Sequence, residues 1–72
     1  MESQLTDPEF IKKCRLEMVK DCVIFNMLHG GWAIDEKEVR SKLDNVEDEK
    51  RLMIIAVIAA YTDDIKSLIR RI

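Results

Sequence analysis

The sequence predicts an all-α fold: a helical hairpin of two long helices with a short helix between them, pairing into a dimeric helical bundle. Three observations predict it. The strong helix breakers are confined, with one proline at residue 8 and both glycines adjacent at 30 and 31. A helix-start signal precedes each apolar segment. The alternation of apolar and polar residues that marks a half-buried strand is absent.

The first helix is expected from about residue 8 to 29. Thr6 can cap it, Glu9 stands three residues on where a capping box needs it, and Pro8 suits the first turn. Gly30-Gly31 is its stop signal, because glycine adopts the left-handed conformation that ends many helices. With Gly31 in that conformation, Trp32 folds back towards Met27.

A short second helix is expected over about 36–44. Asp35 caps it, Glu38 lies three residues on, and Ile34 and Val39 have the spacing of a hydrophobic staple. Asn45 then reads as the cap of a third helix running over about 46–71. Glu47, Asp48 and Glu49 fall in its first turn and Arg70 and Arg71 in its last, as the helix dipole favours. Residues 1–6 read as a flexible N-terminus, and 1–72 as a single domain.

The long helices carry more apolar surface than a hairpin can bury. Ile54, Ile58, Tyr61, Ile65, Leu68 and Ile72 repeat at alternating spacings of four and three, a heptad seam. Every residue from Leu52 to Tyr61 is apolar, and a helix apolar all round must be covered all round. In the first helix, Ile11, Cys14, Met18, Cys22 and Phe25 form one stripe, and Leu16, Val19, Val23 and Met27 another. Surplus apolar surface of this kind marks association. A core in a chain this short rarely supplies more than about 3–5 kcal/mol, so a partner chain is the expected support. The expected protein interface is Trp32, Ile54, Ile58, Tyr61, Ile65 and Leu68.

Composition bounds the function. The 72 residues are 47% hydrophobic and 36% charged, with a net charge of −2. That mixture suits a folded chain and does not suit a strongly basic nucleic-acid protein. Neither a secretory leader nor a run long enough to span a bilayer is read, so the expected location is cytoplasmic. Cys14 and Cys22 are eight residues apart, about 12 Å along a helix, too far to pair within one chain. With Met18 between them they read as core residues. His29 has no nucleophile or acid at a motif spacing, and residues 35–49 read as a solvated, capped face. No catalytic, cofactor-binding or metal-ligating residues are therefore assigned, and no small-molecule substrate or membrane partner is expected.

The expected function is a small interaction module that binds itself and a larger protein target, as a regulator, inhibitor or accessory subunit. A second reading takes Lys12, Lys13, Lys66, Arg70 and Arg71 as a basic patch, assembled where the start of the first helix meets the end of the third. That patch would serve a DNA-associated regulator. Against it, the helix placed to read a groove begins acidic and then turns wholly apolar. A third reading is a structural subunit of a larger oligomer.

Overall fold

A computed structural model describes residues 7–72. Among them are four α-helices: α1 (Pro8–His29), α2 (Glu36–Asp44), α3 (Glu49–Tyr61) and α4 (Ile65–Arg71). The expectations for residues 1–6, the Thr6 cap included, lie outside the described residues.

Each helix begins on an aspartate. Asp7 accepts from the backbone N–H of Glu9, and Pro8 takes the first helical position, where its missing N–H costs nothing. Asp35 accepts from the N–H groups of Lys37 and Glu38 at 3.1 and 3.3 Å. Asp48 accepts from Lys50 and Asp64 from Ser67. The short carboxylate satisfies donors that the first turn leaves unpaired. Asn45, expected to open the third helix, instead closes α2 as its C-cap.

α1 ends in a Schellman motif. Gly31 has φ +82°, the Trp32 N–H donates to Met27 O, and the Gly31 N–H donates to Leu28 O. Gly30 is needed for a different reason. A β-carbon there would lie 2.9 Å from two atoms of the Trp32 indole, so the ring rests directly on the glycine. Gly31→Ala, with open space but a left-handed backbone, is expected to destabilise the protein by about 1–2 kcal/mol in urea unfolding. A loss below a few tenths would mean that the turn adopts another conformation.

The chain runs up, down, up and down. Arg15 of α1 pairs with Glu49 of α3 at 3.1 Å. Further along both helices, the Asn26 side-chain amide donates to Ala56 O at 2.9 Å. Both sequence numbers rise together, so α1 and α3 are parallel neighbours, and they form the most extensive helix contact. α2 runs back between them in sequence, with Arg40 reaching Asp21 and Lys20 reaching Asp44. The two long helices are therefore not an antiparallel hairpin, because α2 is itself a full reversal of the chain.

The expected third helix is two helices. Thr62, Asp63 and Asp64 break it: Thr62 Oγ1 accepts from the Asp64 N–H, and Asp64 then caps α4. α4 turns back, and the Lys42 ammonium donates to Ile69 O near its end at 3.2 Å. The core collects Val23 and Met27 of α1, Val39 and Leu43 of α2, Leu52 of α3 and Ile65 of α4. Of the expected staple, Val39 belongs to this cluster and the half-buried Ile34 packs against it.

One charged side chain is buried at the edge of that core. Lys20 is 7% exposed, with its ammonium 3.0 Å from Asp44 and 3.1 Å from Glu17. Burial works to lower its pKa, and the two carboxylates together outweigh burial, so the group is held above its usual 10.5. A raised pKa contributes stability that is whole below pH 10.5 and is lost as the ammonium deprotonates above it. Both acids are more than half exposed and return to water without the lysine. Lys20→Met keeps the buried stem, so its expected cost in urea at pH 7 is under about 1 kcal/mol. A cost of several kcal/mol would show that the pair, rather than the stem, holds α1 to α2.

Candidate interaction surface

α1 has two apolar faces, and only one meets the core. Leu16, Val19, Val23 and Met27 pack inward. Ile11, Cys14, Met18, Cys22 and Phe25, on the opposite side of the helix, are all exposed. Met18 is 69% exposed and Phe25 61%. Cys14 and Cys22 are free thiols at the surface. The expectation that the cysteines and Met18 are core residues is therefore corrected. α1 turns their stripe away because its other stripe already faces α2 and α3.

α3 repeats the arrangement. Leu52, Ile55, Ala56 and Ala59 are buried, whereas Met53, Ile54, Val57, Ile58 and Tyr61 are exposed, Tyr61 by 87%. The two outward faces join. Met18 and Cys22 of α1 line one open groove with Met53, Val57, Ala60 and Tyr61 of α3, a space of about 450 Å³. The small side chains of Ala56 and Ala60 let α1 and α3 lie close and form its floor. His29 closes the α1 stripe, stacked on Phe25 with ring centroids 5.3 Å apart. A second cleft runs along the other flank of α3, where Ile54 and Ile58 meet Leu68 and Ile72 of α4, with Arg51 and Arg71 at its rim.

The residues expected to form one interface divide. Ile54, Ile58 and Tyr61 lie on the exposed face of α3. Ile65 and Leu68 are buried in the protein's own core, because the break at 62–64 ends the seam and turns α4 inward. Trp32 is half-buried over Gly30 and packs against the core, where it covers the end of α1. Of the α1 contribution, Cys14, Met18 and Cys22 are read from the sequence as core residues, and no α1 residue is named in the expected interface. The signal for that contribution was the second stripe, which one core has no room for.

The five basic residues do not gather. Lys12 and Lys13 border Asp44 and Glu47 at the α2–α3 turn. Lys66 and Arg70 border Asp35 and Glu38, and Arg71 faces Arg51. They occupy three places, each lined by a carboxylate as well. The reason is the course of the chain: α4 folds back against α2 and the flank of α3 away from α1, so its basic residues stay apart from Lys12 and Lys13.

Among the described residues, no cluster of three or more His, Cys, Asp or Glu side chains is placed to hold a metal ion. No helix among them is long and apolar enough to cross a membrane. Comparison with protein-family models, with curated proteins and with solved structures finds no match.

Proposed function

We propose that this protein is a small helical interaction module that associates with itself and acts on a larger protein as a regulator, inhibitor or accessory subunit. The observation that carries this reading is the uncharged face built by α1 and α3, on which Met18, Phe25, Val57 and Tyr61 stand in solvent. A protein of this size rarely leaves so many large apolar side chains contiguous and uncovered unless something covers them. Covering the face also supplies what a small core lacks, since burial contributes roughly 25 cal/mol per Å².

Light scattering on the intact protein from low to high micromolar concentration tests the self-association. A mass that settles at a multiple of the 8.4 kDa chain supports it. A monomer that stays soluble throughout removes it.

A further inference from the structure

The exposed stripe of α1 is arranged symmetrically about Met18. Cys14 and Cys22 each lie four residues from it, Ile11 and Phe25 seven, and Asp7 and His29 eleven. Arg15 and Asp21, at the two edges of the stripe, each lie three away. All eight flanking residues are exposed.

We infer that α1 docks against α1 of a second copy, antiparallel, on a two-fold axis through Met18. This deepens the self-association proposed above and rests on it. A two-fold interface is self-complementary: where residue i meets residue j, j also meets i. In this register Met18 meets itself, Ile11 meets Phe25, and each Cys14 faces a Cys22. The charges agree as well. Asp7 lies across from His29 of the second copy, while Arg15 and Asp21, already paired with Glu49 and Arg40 of their own chain, stay at the rim on opposite edges. A parallel pairing would instead bring Asp7 to Asp7 and His29 to His29. Antiparallel packing also sets opposite ends of the helix dipoles side by side.

The size of the face fits the same occupant. Because α1 and α3 are parallel neighbours, the axis brings the α3 face into the contact with the α1 stripe. Met18, Phe25, Met53, Val57 and Tyr61 are each more than half exposed. Phe25 and Tyr61 bring up to roughly 300–500 Å² between them, and Met18, Met53 and Val57 add to it, towards the roughly 800 Å² that one partner contributes to a standard interface.

The register makes a chemical prediction. Helices in contact lie about 8–10 Å apart, with Cα atoms at a radius of about 2.3 Å. Facing Cα atoms then come within the ~7 Å that a disulfide spans, although the two cysteines of one chain cannot reach each other. Diamide is the probe: it takes two electrons and two protons from a thiol pair, becomes the hydrazine, and leaves one S–S bond.

The expected result at low micromolar protein is a covalent dimer from the native chain. Cys14→Ser alone and Cys22→Ser alone should each stay monomeric on a non-reducing gel. An equimolar mixture of the two variants should regain the dimer, because a mixed pair sets the Cys14 of one chain opposite the Cys22 of the other. Both thiols are exposed, so circular dichroism of the variants should match the native spectrum. Dimers from either single variant, or none from the mixture, overturn this register. Light scattering before oxidation separates the two levels: a dimer with another cross-linking pattern removes only the register, and a monomer removes the self-association with it.

Discussion

Leu52→Ala is expected to leave much of the protein unfolded near room temperature. Leu52 is 0% exposed and stands on α3 in the core cluster, with Val23 and Met27 of α1 and Leu43 of α2. Truncating a buried leucine to alanine costs about 2–5 kcal/mol, the lost burial and the cavity together. A single core of this size holds about 3–5 kcal/mol in all, so the substitution removes most of the margin. In a domain of 60–100 residues each kcal/mol corresponds to about 4–8 °C in midpoint, so a thermal melt should fall by at least about 10 °C. A shift of only a degree or two would contradict the packing of α3 on α1 described here. If two chains share their stability, the midpoint of either protein should also rise with protein concentration.

Met18→Glu should do the reverse, sparing the fold and abolishing the association. Met18 is 69% exposed, so glutamate there stays in water in the single chain, and it is a good helix former. On the two-fold axis, one substitution places two carboxylates against each other in an apolar contact. Charges left unpaired in such a place cost several kcal/mol, and each 1.4 kcal/mol is tenfold in affinity. The expected dissociation constant rises by at least about 100-fold, read by sedimentation velocity across a dilution series. Helix content by circular dichroism should not change. An undiminished dimer would place the axis elsewhere. Val57→Glu, on the exposed face of α3, asks in the same assay whether that half of the face is also covered.

These two substitutions mark what the sequence could and could not disclose. The limits of α1 and α2 were legible because their punctuation is local: Pro8 at one end, the glycine pair at the other, and Asp35 ahead of its acidic turn. The break at Thr62-Asp63-Asp64 was legible in principle, as three polar, poorly helix-forming residues in a row after an apolar run. The heptad spacing that crosses them, from Ile54 to Ile72, masked it. That spacing has no structural meaning once α4 turns back. The parallel course of α1 and α3 follows from counting α2 as a reversal of its own and not as part of a connection.

The surface was half legible. An excess of apolar residues announces that something must be covered, but periodicity alone does not say which of two opposed stripes meets the core. On α1 the larger aliphatics Leu16, Val19 and Val23, together with Met27, are matched by α2 and α3. Cys14, Met18 and Cys22 are left outside. Ile65 and Leu68 went the other way, into the interior. Their position depends on a turn three residues before them and on the groove it leads into.

The indole resting on Gly30 has a spectroscopic use. Trp32 is the one tryptophan of the chain, half-buried where α1 turns into α2 and packed against the core. Its emission will therefore shift to the red as that turn opens, and no extrinsic dye is needed to follow unfolding. The ring is not among the side chains of the α1–α3 face, so the same signal should stay constant while chains pair and separate on dilution. One native fluorophore thus isolates the opening of the chain from its assembly, two processes that a thermal melt alone would merge.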